Sequence, residues 1–181
     1  MKKSFAIAAF TIAATVLGSN RVQAQNHNAT TTATITLSDV ISIDSGSAAI
    51  NGTVAFNYAT AEAYNTAQTV AQANALKVTS TKAFNVKVKA GAANFVNGTN
   101  LIPVNVLTIK AAAAAGTMGG IKNVVVLSEA DQTLVGNAPL GSALSLNLDY
   151  TIPAAESSSP KILGKPAGTY TQTVIYTATA L

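Results

Sequence analysis

The sequence predicts an all-β protein, a single antiparallel Greek-key β-sandwich of seven to nine strands. Three observations support this fold class. Short segments alternate apolar and polar residues with the two-residue period of a strand that is buried on one face. Turn-forming Asn-Gly pairs and a Pro/Ser-rich stretch lie between these segments. No internal repeat, heptad or domain linker interrupts the pattern, so the strands are expected to form one domain.

Residues 1–24 are predicted to be a signal peptide. They comprise a cationic start at 1–3, an apolar stretch at 5–17, and small side chains before a cleavage site after Ala24. The alternative, an uncleaved membrane anchor, needs about 20 apolar residues, and this stretch is shorter. Cleavage leaves an exported protein without a membrane span. We expect it to comprise an N-terminal extension at 25–38 and a sandwich domain at 39–181.

Composition argues against several classes of function. After cleavage eight Lys face seven acidic residues and no Arg remains, so the net charge is +1 and gives no basis for nucleic-acid binding. The chain has no Cys, so its fold cannot depend on disulfide bonds. The mature chain is long enough for one domain with its own core.

In chain order, two strands are predicted before the first Asn-Gly pair, at 29–37 and 40–43. In 29–37, Ala, Ile and Leu on one face alternate with Thr on the other. The Asn-Gly pair at 51–52 predicts a hairpin between its flanking apolar segments. Residues 59–75 are rich in Ala and Gln without clean alternation, which favours a short helix or a surface loop.

Beyond residue 75, alternation or continuous apolar character predicts the remaining strands. In order, they are expected at 76–79, 84–88, 101–109, 124–127, 144–152 and 169–181. Pro103 lies near the start of its strand, where its missing N–H does least harm. The small-residue stretch 111–120 and the Pro/Ser-rich stretch 153–166 are predicted to be loops.

The sequence offers no catalytic or cofactor site. His27 is the only histidine, and without Cys or a second His it cannot complete a common zinc or copper site. Glu129 and Asp131 are interpreted as a solvated turn and not as the carboxylate pair of a glycosidase. We therefore expect no enzyme activity, no cofactor and no metal, with a calcium site that uses Asp39, Asp44, Glu129 or Asp131 as the open alternative.

Both ends of the mature chain resemble fibre subunits of the chaperone–usher type, in particular the disulfide-free capsular-fibre subunits. Residues 28–37 (NATTTATITL) resemble the donor segments of that family. Residues 166–179 (PAGTYTQTVIYTAT) resemble its last strand, with Gly168 fourteenth from the end. The penultimate residue is Ala180, where the family usually has an aromatic residue. The C-terminal pattern is also similar to spore-coat-U-like secreted domains.

The resemblance implies an immunoglobulin-like or pilin-like subunit of a cell-surface fibre (fimbrium) with a role in adhesion or surface coating. Such subunits polymerise head-to-tail with copies of themselves by donor-strand exchange, and a periplasmic chaperone and an usher assist them. The residues expected on the donor face are Ala29, Thr31, Ala33, Ile35 and Leu37. The residues expected in the acceptor groove and last strand are Gly168, Tyr170, Val174, Tyr176 and Ala178.

Elementary physical chemistry supports the same joint. A sandwich that lacks one strand exposes unpaired N–H and C=O groups, which another chain can pair with. The alternative is that 29–37 is simply the first strand of a complete, monomeric sandwich. That protein would be a secreted binding module for a glycan or cell-surface polymer, and its candidate aromatic residues are Tyr58, Tyr64 and Phe95.

Overall fold

A computed structural model describes residues 28–181 of the chain. The predicted signal peptide, its cleavage site and His27 lie outside these residues. Ser38–Leu181 forms one compact unit. Residues 28–37 belong to the preceding unit and have no regular secondary structure.

The unit Ser38–Leu181 consists mainly of antiparallel strands, which confirms the all-β class. Its strands are β1 (Ile41–Ile43), β2 (Gln68–Ser80), β3 (Phe84–Ala90), β4 (Asn94–Asn97), β5 (Asn100–Pro103), β6 (Thr108–Ala111), β7 (Ile121–Lys122), β8 (Val125–Val126), β9 (Gln132–Ala138), β10 (Gly141–Ile152) and β11 (Val174–Ala180). Two short helices, α1 (Ala61–Asn65) and α2 (Ala154–Ser157), and a 3-10 turn at Val104–Val106 connect them.

The strands form two main sheets and one hairpin. The five-stranded sheet has the order β1-β2-β10-β6-β8, and the four-stranded sheet has the order β11-β3-β9-β7. The hairpin pairs β4 with β5 around the second Asn-Gly pair, and Gly98 adopts a φ of 58°, which glycine tolerates without strain. All pairings are antiparallel.

The two main sheets share one hydrophobic core. Alternation places one face of each long strand inside, as in β3, where the four buried side chains are Phe84, Val86, Val88 and Ala90. The inner face of β10 contributes Leu146, Leu148 and Tyr150 to the same cluster. Outward positions of these strands carry Ser, Thr, Asn and Lys, as the two-residue period requires.

Several predicted elements differ in the structure. The predicted hairpin at 51–52 is wrong, because the Ala48 N–H donates to the Asn74 carbonyl of β2 (2.9 Å) and residues 53–59 join no strand. Gly52 is required there because any Cβ would collide with the Ala48 carbonyl oxygen. The Asn-Gly signal therefore reflected a close backbone approach and not a hairpin turn.

The strand predicted at 101–109 is divided into β5, the 3-10 turn and β6. Val104, Val106 and Leu107 are all buried, and a continuous strand cannot point two consecutive side chains into one core. In the Ala- and Gln-rich region, α1 is the expected short helix. However, β2 already begins at Gln68, and this stretch alternates as a strand: Ala71 and Ala73 are exposed, whereas Gln68, Val70 and Gln72 are half-buried.

Candidate functional site

The two sheets meet differently along their two sides. On one side, residues 121–126 pass from β7, which pairs with β9, to β8, which pairs with β6. Between these strands the Asn123 N–H donates to the Leu134 carbonyl (2.9 Å). One segment therefore connects both sheets, and we call this the closed side.

On the other side, the end strands are β1 and β11, and we call this the open side. Cα atoms of β1 and β11 come within 8 Å of each other, but no ladder joins the two strands. Two strand spacings amount to roughly 9.5 Å. An additional strand between β1 and β11 would therefore have to move them apart.

The edge of β11 is the central feature of the open side. Val174–Ala180 pairs along its whole length with β3. Within residues 28–181 its other edge has no strand partner. Inward-facing Val174, Tyr176 and Ala178 contact the core but are only half-buried, whereas Ile175 and its outward neighbours are exposed. In general, an unpaired strand edge can pair with a further strand, and an apolar inner row favours such pairing.

Tyr176 links this edge to the opposite sheet. Its hydroxyl lies 2.6 Å from the hydroxyl of buried Tyr150, which projects from the central strand β10. Burial raises the pKa of both phenols above the usual value for tyrosine. Both groups therefore stay neutral, and one hydroxyl donates to the other across the core.

Residues 53–59 directly follow Gly52, and Tyr58 is the only candidate residue that the sequence indicated in this stretch. Val54, Phe56 and Tyr58 are half-buried against the core and alternate with exposed residues, yet in the described chain 53–59 belongs to no ladder. The Tyr58 hydroxyl is 2.8 Å from that of Ser157, and burial raises the pKa of Tyr58. The alternation Val-Ala-Phe-Asn-Tyr was the available signal.

The structure unites only part of the predicted acceptor set. Val174, Tyr176 and Ala178 share the inner face of β11, but Gly168 and Tyr170 precede the strand. Tyr170 donates to the Pro166 carbonyl (2.8 Å). Gly168 has a φ of 153°, which strains any other residue, and a Cβ there would displace the Asn97 side-chain amide.

The predicted donor residues lie in 28–37. All five, Ala29, Thr31, Ala33, Ile35 and Leu37, are exposed. Ile35 is 84% and Leu37 is 87% exposed. Among residues 28–181, the segment 29–37 belongs to no strand or ladder. Burial of the Ile35 and Leu37 side chains against another chain would therefore release nearly the full transfer free energy of a Leu or Ile side chain.

The acidic residues do not form a metal-binding group in the described part of the chain. Asp39 pairs with Lys82, Asp131 pairs with Lys89 at 3.4 Å, and Glu156 pairs with Lys161 at 2.9 Å. Hydrogen bonding to the Lys82 ammonium lowers the pKa of Asp39. From residue 28 onwards, no helix is long and apolar enough to cross a membrane.

The candidate aromatic residues of the glycan-binding alternative are not exposed. Tyr58 and Tyr64 form a tilted ring pair with centroids 5.0 Å apart, and both are half-buried. Phe95 is half-buried in the β4–β5 hairpin. No aromatic side chain from residue 28 onwards offers the exposed flat platform on which a sugar ring would stack.

Comparisons with known proteins add no relative: no protein-family profile, curated protein or solved structure matches the chain.

Proposed function

We propose that this protein is a structural subunit of an extracellular fibre, which polymerises head-to-tail when residues 29–37 of one copy add as a strand to the edge of β11 in the next. One observation carries the proposal. Within residues 28–181, one alternating segment and one strand edge have no strand partner, and each has an apolar row. The row of Ile35 and Leu37 is exposed, and that of β11 is half-buried.

We also propose how the two sheets are arranged and where a strand is missing. Three observations support two layers with β1 and β11 at one side and β7 and β8 at the other: the strand orders, the approach of β1 to β11, and the passage of 121–126 from one sheet to the other. This arrangement fits an immunoglobulin-like Greek-key sandwich that lacks one edge strand between β1 and β11. Residues 29–37 of another copy would supply that strand.

The ends of the unit favour one direction of insertion. The Thr81 N–H donates to the Val40 carbonyl (2.9 Å), and the Leu181 N–H donates to the Ala83 carbonyl (2.8 Å). The N-terminal start of the unit and the end of β11 therefore lie beside the same turn, 81–83. We call this the near end, and the end where β11 begins the far end.

A donor strand parallel to β11 would bring two near ends together, which is the geometry of a closed reciprocal dimer. An antiparallel donor strand places the near end of one copy against the far end of the next. That contact uses two different surfaces and does not close, so it builds a filament. Antiparallel addition also matches every other pairing in the two sheets.

The free energy of the joint comes from burial and from backbone pairing. Ile35 and Leu37 would each contribute about 1.5–3 kcal/mol by burial. Each added backbone hydrogen bond contributes about 0.5–1.5 kcal/mol net. Separating β1 from β11 opposes insertion, so we expect slow association followed by very slow dissociation.

Export and assembly complete the proposal. The signal peptide predicted at residues 1–24 directs the chain out of the cytoplasm to the cell surface, where the fibre acts in adhesion or surface coating. A periplasmic chaperone that covers the edge of β11 before polymerisation, and an usher, are the assembly partners. Adhesion requires no catalytic group, and we propose none.

The test compares the mature chain, residues 25–181, with a truncation that begins at Ser38, using light scattering and negative-stain microscopy. We expect filaments from the mature chain and folded monomers from the truncation. A peptide of residues 25–38 should bind the truncated protein and cap it. A folded monomer from the mature chain would overturn the proposal and favour the monomeric binding module, for which glycan screening is the next experiment.

A matched pair of double variants tests whether assembly needs the apolar face of residues 29–37 or only a segment of this length. Ile35→Asp with Leu37→Asp charges the proposed inner face of the donor, and Thr34→Asp with Thr36→Asp charges the opposite face. We expect the first pair to abolish filaments and the second to preserve them. Filaments from both double variants would contradict burial of Ile35 and Leu37.

A further inference from the structure

Exposed apolar side chains gather at the near end of the unit. Val40 and Leu181 flank the turn 81–83 through the two backbone hydrogen bonds described above. Leu140 lies in the connection from β9 to β10, directly before Gly141, which pairs with Ser80. We call Val40, Leu140 and Leu181 the end cluster. Its members are 48%, 64% and 60% exposed.

A second exposed apolar pair lies near the far end. Val96 and Leu101 are directly opposite each other in the β4–β5 hairpin, and both are exposed. Val96 also exchanges backbone hydrogen bonds with Thr171, at 3.0 and 3.1 Å, three residues before β11 begins. We call Val96 and Leu101 the hairpin pair. It lies beside the end of the groove at which an antiparallel donor strand would finish.

Single exposed apolar residues are common on protein surfaces and need no explanation. The end cluster differs because three such residues from distant parts of the chain surround one turn. On that turn Lys82 forms an ion pair with Asp39, so these two side-chain charges neutralise each other. The end cluster therefore lies beside a neutralised pair and not beside a free side-chain charge of that turn.

The chain itself limits how far this surface can lie from an acceptor. Leu37 is the last residue of the proposed donor face, and Val40 is the first residue tied to the turn 81–83. Three Cα–Cα steps separate them, which span at most about 11 Å. Once Leu37 is seated at the far end of an acceptor, Val40 lies within about 11 Å of it, so the near end of the donor subunit is held close to that acceptor.

We infer that the end cluster of one copy docks on the hairpin pair of the next copy. This inference rests on the proposed function and adds a second contact to each joint. The donor strand alone would leave neighbouring subunits free to swivel about residues 38 and 39. An apolar contact beside that short connection fixes the angle between subunits and makes the fibre stiff.

The experiment measures the persistence length of filaments of the mature chain, residues 25–181, by electron microscopy. Leu140→Lys and Leu101→Asp each place a charge in one half of the contact. We expect both variants to polymerise with a persistence length at least about threefold shorter, because domains joined without a sizeable apolar interface move freely. Combining the two substitutions introduces opposite charges and should restore part of the stiffness.

Val124→Lys is the matched control, since Val124 is an exposed apolar residue on the closed side. Its filaments should be as stiff as those of the unmodified protein. Where Leu140→Lys prevents folding, Leu181→Lys tests the same cluster at the last residue of the chain. Stiff filaments from both end-cluster variants would overturn the inference and leave the proposed function intact. If the unmodified chain forms no filaments, the proposed function itself fails.

Discussion

The closed and open sides of the two sheets are built from similar residues but reach different states. Val125 on the closed side is 3% exposed and Leu127 is fully buried, because residues 121–126 pair with both sheets. Val174 on the open side is just as apolar but stays half-buried, and in the described part of the chain β11 pairs with β3 alone. The difference lies in the number of strands available at each side and not in the chemistry of the side chains.

The largest expected effect comes from supplying the open side with a strand. Residues 25–37 fused after Leu181 through a short turn would run antiparallel to β11 from its end. Burial of Ile35 and Leu37 with the added backbone pairing should stabilise the fold by about 5 kcal/mol or more. Calorimetry should then show a melting midpoint higher by about 10–20 °C in a Ser38-start protein.

The fusion control carries Asp in place of Ile35 and Leu37. It has the same length and the same turn, so a gain that persists in this control would show that burial is not the cause. If neither fusion raises the melting midpoint, the open side cannot accept a strand. That outcome would contradict the proposed strand addition at β11.

A smaller effect compares one valine from each side. Val125→Ala should destabilise the protein by about 2–3 kcal/mol, since it leaves a cavity in a closed core. Val174→Ala should cost about half as much, because half-burial means that fewer contacts are lost. In the fused protein, chemical denaturation should show a larger cost for Val174→Ala and an unchanged cost for Val125→Ala. Equal costs at both sites before fusion would contradict the contrast.

The sequence predicted those strands whose own alternation decides their burial. The segments at 84–88 and 144–152 carry large apolar residues at every second position and are buried as expected within β3 and β10. The class of the fold followed from such segments. The segment 121–126 could not be assigned to two sheets, because β7 and β8 contain two residues each and depend on partners far along the chain.

The start of the last strand also depends on partners far along the chain, so the sequence did not predict it. The alternation after Gly168 predicts one strand from 169 onwards, but Thr171 pairs with Val96 of the hairpin before the chain joins β3 at Val174. The pattern is continuous although the partner changes, so sequence alone could not separate Tyr170 from the strand. Nor could it show that 53–59 alternates without pairing, since the absence of a partner is a property of the tertiary structure.

The smallest expected effect concerns the hydrogen bond by which the open side is held to the core. Tyr176→Phe leaves the buried Tyr150 hydroxyl without its partner and should cost about 1–2 kcal/mol, and Tyr150→Phe should cost a similar amount. The double variant should cost less than the sum, because neither sheet then buries an unpaired hydroxyl. Strictly additive costs in denaturation experiments would show that the two hydroxyls act independently.

The same pair gives a pH dependence whose sign follows from the raised pKa of both phenols. The folded protein keeps them protonated, whereas the unfolded chain releases their protons near the ordinary value of 10.0. The stability they contribute is therefore complete below about pH 10 and declines as the pH rises further, since the unfolded state then binds fewer protons. Tyr150→Phe with Tyr176→Phe should flatten this alkaline decline in the free energy of unfolding.

Because Tyr58 also has a raised pKa, a residual slope should remain in the double variant and disappear in the triple variant that adds Tyr58→Phe. If stability declines as steeply at alkaline pH in the triple variant as in the unmodified protein, other groups cause the decline. That outcome would contradict a contribution of the Tyr150–Tyr176 pair to the pH dependence.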